Sequence, residues 1–219
     1  MKIKVCGMRR PDNIDEVAAL GIDMEGFIFY PRSPRFVGEP DTDALSRLKA
    51  QGVEPVALFV DEDIDTVTGI LRKYGFGTVQ LHGNESPAYC DRLRADGVRV
   101  LKAIPIACAD DMSKCAAYDG HADMLVLDTK SASKGGSGQK FDWSLLAQAS
   151  FSTPFLLSGG IVPDDAVAVK ELFKRMNGLM AGVDLNSKFE RAPGIKSATL
   201  LAHFINNINY LYLKMVLQN

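Results

Sequence analysis

The chain has 219 residues, 47% hydrophobic and 24% charged, with a formal net charge of −2. That is the profile of a globular protein long enough for one large core, without the basic surplus that would point to nucleic acid or an anionic membrane. Apolar runs such as 56–60 and 125–127 are far shorter than the ~20 residues of a membrane span, and the amino terminus runs straight into strand-like sequence with no signal pattern. Four cysteines (Cys6, Cys90, Cys108 and Cys115) and three histidines show no metal-ligand spacing, so neither metal nor cofactor is expected. The thiols fit a reducing, cytoplasmic setting.

Short β-rich runs alternate with amphipathic stretches along the chain. Strands are expected near 3–6, 26–29, 56–60, 78–81, 98–103, 124–128, 155–158 and 179–184. Helices are expected near 11–20, 41–50, 63–74, 86–95, 109–116, 143–148 and 163–174, with a longer one from about Ser197. There, Leu201, Phe204, Ile205, Ile208, Leu211, Tyr212 and Met215 share one helical face. Eight strand–helix units predict a single α/β domain over residues 1–219, a closed (β/α)8 TIM barrel. An open doubly wound sheet is the rival, but no GxGxxG follows the first strand. Alternation along that strand sends Ile3 and Val5 to the outer helices and Lys4 and Cys6 to the interior. A lysine inside a barrel needs a counter-charge. Asp184, at the end of the neighbouring eighth strand, is the nearest candidate.

Chemistry in such barrels sits at the carboxyl ends of the strands. That rule selects Cys6, Arg32, Arg35, Gln80, His82, Asp128, Ser158, Gly159, Gly160, Asp184, Asn186 and Ser187. Cys6 and Asp128 close strands three places apart on the ring and form a candidate base–acid pair across the mouth. The arginines of YPRSPR can bind a carboxylate through two parallel hydrogen bonds. The Ser-Gly-Gly turn before a helix start offers backbone N–H groups to an anion such as phosphate. His82 has no evident carboxylate partner and reads as a binding or positioning group. The small, polar stretch KSASKGGSGQKFDW, from Lys130, has the composition of a lid.

KVCGM, GFIFYPRSPRFV, VQLHG, VLDTKSASKGGSGQKFDW, LSGGIVPDD and GVDLNSKFERAPGIK, in that order, resemble the successive signature blocks of the phosphoribosylanthranilate isomerase family from Lys4 to about Lys196. The resemblance implies a (β/α)8 fold and a cofactor-free, metal-free Amadori rearrangement in tryptophan biosynthesis. By position, Cys6 matches the base that removes the ribose C2′ proton, and Asp128 the acid that protonates the ring oxygen. Arg35 matches the holder of the anthranilate carboxylate, and the Ser158–Gly160 turn part of the phosphate cradle. The opposite protonation needs of base and acid predict a bell-shaped pH–rate profile, and Lys4 would help ionise Cys6. The sequence departs from the family pattern at Asn186, Ser187 and Lys188, where a small Ser-Ser-Gly turn is common, and at Ser197, where aspartate is frequent. Serine there still serves as a helix cap. The alternatives are another sugar-phosphate aminoaldose isomerase barrel, such as the histidine-pathway type with its aspartate pair, or a non-enzymatic phosphate-ligand-binding barrel. The expected partner is a small-molecule substrate, with no nucleic acid and no membrane. Monomer and homodimer remain open, and the apolar tail from Leu211 could serve as a contact surface.

Overall fold

The computed structural model describes residues 1–130 and 140–216, with side chains as far as residue 209. Residues 131–139 of the stretch expected as a lid, and the apolar tail side chains from Leu211, lie outside the described residues. Eight parallel strands close into a barrel in chain order: β1 (Lys2–Cys6), β2 (Met24–Ile28), β3 (Glu54–Phe59), β4 (Thr78–Leu81), β5 (Arg99–Ile106), β6 (Met124–Thr129), β7 (Phe155–Leu157) and β8 (Met180–Leu185). Helices α1 (Pro11–Ala18), α2 (Thr42–Ala50), α3 (Ile64–Tyr74), α4 (Pro87–Ala95) and α5 (Ala109–Ala116) follow the first five strands. α6 (Ala166–Arg175) follows β7, and α7 (Ala198–Val216) ends the described chain.

Local chemistry sets the helix starts. Asp41 accepts the N–H of Ala44 at 2.7 Å, Asp63 that of Asp65 at 2.8 Å, and Ser86 that of Tyr89 at 3.3 Å, each satisfying a donor that the first turn leaves unpaired. Ser197 serves α7 likewise, taking the N–H of Leu200 at 3.4 Å. Two expected helices differ. The segment Trp143–Gln148 is a 3-10 helix, and Pro163–Asp165 is a 3-10 turn that leads into α6. A small antiparallel pair, β9 (Glu190–Ala192) with β10 (Ile195–Lys196), was not signalled by periodicity, because strands of three and two residues are too short to show one.

Alternation divides the side chains into two packed regions. Ile3, Val5, Phe27, Phe59 and Val79 join the large core between barrel and helices. Met24, Val56, Leu101, Met124, Val126 and Leu156 fill the barrel interior. Nearer the strand ends, Cys6, Ile28 and Leu58 form a small apolar group that opens on the mouth. Lys4 stands in register with Met24 on one side and Asp184 on the other. Its ammonium donates to both carboxylate oxygens of Asp184, at 3.0 and 2.9 Å, and is fully buried. Burial drives each group toward its neutral form. For Lys4 this effect is the largest single one, yet Asp184 and Cys6 together outweigh it and hold the pKa above its ordinary value. Glu25 is the contrary case, a buried outward-facing carboxyl whose two oxygens find no hydrogen-bond partner among the described residues. Burial pushes its pKa well above the ordinary range, with Asp15 adding to the rise and Lys196 opposing it.

Two stability measurements follow from these groups. Lys4→Met strands a buried carboxylate and should cost about 3–5 kcal/mol by urea unfolding, whereas Lys4→Met with Asp184→Leu should recover most of that loss. Equal loss in both variants would show that pairing is not what matters. Glu25, with its folded pKa raised, binds its proton more tightly folded than unfolded, so stability falls as pH rises above the unfolded value of ~4.3. Glu25→Gln should therefore match the parent near pH 4 and exceed it by about 1 kcal/mol or more at pH 8. A pH-independent difference would place no buried proton on Glu25.

Candidate active site

The carboxyl ends of the strands surround a cleft of about 390 Å³, within the size range of small-molecule sites. Every residue selected from sequence contributes to its lining: Cys6, Arg32, Arg35, Gln80, His82, Asp128, the Ser158–Gly160 turn, Asp184, Asn186 and Ser187. Ile28, Tyr30, Leu58 and Val60 add an apolar wall beside the polar groups, and Lys188 adds a cation.

Cys6 sits in this cleft at the end of β1, buried and directly over the Lys4–Asp184 pair. A side chain at Gly26 would put its Cβ 2.7 Å from the Cys6 sulfur and 3.2 Å from the Lys4 nitrogen, so only glycine leaves room for both. A glycine inside a strand marks such close approach, and this was the available sequence signal. Burial pushes the thiol pKa above its ordinary value, Lys4 pulls it down, Asp184 adds to the rise, and Lys196 opposes it. The expectation that Lys4 favours the thiolate thus holds for the direction of its influence, but burial outweighs it.

Across the mouth, Asp128 takes the N–H of Thr129 at 2.9 Å and faces His82, whose Nε2 lies 3.3 Å from its Oδ2. His82 therefore does have a carboxylate partner, contrary to the sequence reading. That partner lies 46 residues away, and barrel closure supplies it. The other ring nitrogen of His82 is 3.2 Å from the Gln80 amide, and the buried Gln80 Oε1 has no hydrogen-bond partner among the described residues.

Arg35 shows a different arrangement from a free carboxylate anchor. Its Nε donates to Glu190 at 2.9 and 3.1 Å and its Nη2 at 2.7 Å, a two-pronged ion pair within the chain. Glu190 also accepts from Lys196 at 2.6 Å, and Lys196 reaches Asn186 at 2.7 Å. Arg35 and Lys196 hold the Glu190 carboxyl below its usual range against the effect of burial. Burial lowers the pKa of Lys196. Sequence reasoning passed over Glu190 and Lys196, because both lie beyond the last barrel strand and reach the site only through the β9–β10 hairpin.

The Ser158–Gly160 turn carries two consecutive left-handed glycines, Gly159 at φ 84° and Gly160 at φ 63°. A Cβ on Gly159 would collide with Thr129, the neighbour of Asp128, so this turn packs directly on the end of β6. Successive N–H groups in such a conformation form an anion-binding concavity. Among the described residues no group of three or more His, Cys, Asp or Glu side chains is placed to hold a metal ion. No described helix is long and apolar enough to cross a membrane.

Residues 3–207 match the model of the family described as N-(5′-phosphoribosyl)anthranilate (PRA) isomerase. The N-(5′-phosphoribosyl)anthranilate isomerase of Parabacteroides distasonis is 44% identical over 209 residues, which cover 95% of this chain and 93% of that one. The crystal structure of phosphoribosyl anthranilate isomerase from Thermotoga maritima superposes with a TM-score of 0.80 at 29% identity, covering 96% and 99% of the two chains. A phosphoribosyl anthranilate isomerase in complex with reduced 1-(o-carboxyphenylamino)-1-deoxyribulose 5-phosphate gives 0.77 at 26% identity, with 96% and 99% covered. A shared barrel, together with sequence matched over almost its whole length, shows that the chain belongs to the N-(5′-phosphoribosyl)anthranilate isomerase family of enzymes.

Proposed function

We propose that the chain acts as one catalytic barrel that converts N-(5′-phosphoribosyl)anthranilate to 1-(2-carboxyphenylamino)-1-deoxyribulose 5-phosphate, a step of tryptophan biosynthesis, with Cys6 as general base and Asp128 as general acid. The observation that carries the assignment is the opposition, across one cleft, of a thiol set over a buried ion pair and a carboxyl held by a histidine. Asp128 gives a proton to the furanose ring oxygen, and the C1′–O bond breaks as the anthranilate nitrogen lone pair forms a C1′=N iminium. The positive charge acidifies the C2′–H, and Cys6 takes that proton. The resulting enolamine tautomerises to the aminoketone, so no atom is gained or lost.

His82 and Gln80 orient Asp128. Arg35, with two of its nitrogens held by Glu190, meets the anthranilate carboxylate through Nη1, which has no protein partner among the described residues. Ile28, Leu58, Tyr30 and Val60 give the aromatic ring an apolar surface. The left-handed Gly159–Gly160 turn, with Ser158, Asn186 and Ser187, cradles the phosphate, and Lys188 adds positive charge in place of a glycine. Asp184 acts from below through Lys4. The base must be a free thiol, which suits reducing, cytoplasmic surroundings. A small phosphorylated substrate is the only partner that this chemistry requires.

Fluorescence loss from N-(5′-phosphoribosyl)anthranilate generated in situ tests the reading. Turnover by the parent protein should fall about 100-fold or more in both Cys6→Ala and Asp128→Ala. A folded parent without turnover, or a variant that keeps its rate, would remove the assignment. The productive form carries a single proton for the pair, on Asp128. Rate is therefore lost at low pH, where both groups are protonated, and at high pH, where both are ionised. Burial keeps the thiol above its ordinary 9.0, so the alkaline limb of kcat/KM should belong to Cys6 and lie above that value. An alkaline limb well below 9.0 would assign it to another group.

A further inference from the structure

We propose that the buried Lys102–Glu85 pair is a positioning device for His82, and through it for Asp128; this rests on the role given to the His82–Asp128 contact above. Lys102 lies on β5 between Leu101 and Ala103, which fill the barrel interior, so its side chain emerges on the outer side of the wall. It is 1% exposed. Its ammonium donates to the carbonyl of Leu81 at 3.3 Å, the carbonyl of Gly83 at 2.7 Å and the Glu85 carboxylate at 3.0 Å. Leu81 and Gly83 are the two residues that flank His82. The ring of Tyr118 closes over the ammonium, its centroid 5.5 Å away.

Glu85 completes the frame from the opposite charge. Its carboxylate accepts the N–H of Gly83 at 2.9 Å and that of Asp61 at 2.8 Å, which ties the turn after β4 to the turn after β3. The Tyr118 hydroxyl donates to the Glu85 carbonyl at 2.8 Å, and the His82 N–H donates to Phe59 at 2.9 Å. A Cβ on Gly83 would collide with Asp61, so the two turns are in direct contact. The backbone on both sides of His82 is thus bonded to one cation, and that cation to one carboxylate.

A buried ion pair contributes little net stability, and apolar replacements of similar size are often as stable. An apolar side chain cannot, however, hold two carbonyls and a carboxylate at fixed distances. The beneficiary is the imidazole, which must keep Nε2 3.3 Å from Asp128 while Nδ1 meets Gln80 at 3.2 Å. A backbone shift of about 1 Å at His82 would break both contacts and can reduce rate by about 100-fold.

The test is a double-mutant cycle on the whole protein, with Lys102→Met, His82→Ala and their combination assayed at a temperature where circular dichroism shows each folded. Lys102→Met should lower kcat about 10- to 100-fold with little change in KM, and should lower it no further in the His82→Ala background. Losses that multiply, or a Lys102→Met enzyme at the parent rate, would overturn the proposal. If Lys102→Met fails to fold, Glu85→Gln replaces it. Glu85→Gln keeps an oxygen for the Gly83 N–H but drops the charge, and its smaller loss should likewise vanish without His82. Independently of turnover, the imidazole NMR signals of His82 should move in either variant, and unmoved signals would refute positioning. Full activity of His82→Ala would instead refute the role of the His82–Asp128 contact.

Discussion

The ion pair between Lys4 and Asp184 organises the interior of this barrel. Two opposite charges are enclosed where strands β1 and β8 meet, above a floor of aliphatic side chains. Neither could be there alone, since an unpaired buried charge costs several kcal/mol. The pair occupies space that a barrel otherwise fills with branched apolar side chains, and Gly26 on β2 supplies the missing volume. The arrangement also sets the electrostatics of the mouth. Lys4 and, from the hairpin side, Lys196 pull the Cys6 thiol toward ionisation, while enclosure and Asp184 push the other way. The contact that closes the barrel and the field on the thiol therefore arise from the same atoms.

A second chain of contacts stabilises the rim. Arg35 after β2, Glu190 on β9, Lys196 on β10 and Asn186 after β8 are linked by hydrogen bonds of 2.6 to 3.1 Å. Arg35 and Glu190 are 155 residues apart. Enclosed charges of alternating sign satisfy one another there. The Arg35 guanidinium is consequently fixed in place at the rim by its ion pair with Glu190. Glu25 has no comparable hydrogen-bond partner among the described residues, and burial raises its pKa instead.

Much of this was legible from residue order. Period-two and period-3.6 patterning identified each barrel strand and placed helices from about 41, 63 and 86, and the parity of β1 put Lys4 and Cys6 on one face. Strand order around a closed barrel then made Asp184 the partner of Lys4. The misreadings have separate causes. Segment Trp143–Gln148 has helical spacing, yet it winds as a 3-10 helix, a distinction that apolar spacing over six residues does not encode. His82 lacked a partner on paper because its carboxylate comes from a strand two places further round the ring.

What the sequence by itself determined is the set of barrel strands, their order, the face that their side chains take, and therefore the residues that reach the carboxyl ends. These follow from local rules, namely steric limits on the backbone, hydrogen-bond capping and the burial of apolar faces. Apart from Lys4 with Asp184, which strand parity and barrel order already paired, tertiary structure alone decided which of those residues meet. The fold-back of the β9–β10 hairpin set the Arg35–Glu190 pair, the packing of the turn after β4 on β5 set the Lys102–Glu85 pair, and barrel closure brought His82 to Asp128. The physical reason is that charges and hydrogen-bonding groups far apart in sequence find partners only when solvent is excluded between them. Their pairing is a property of the closed barrel and not of any local segment.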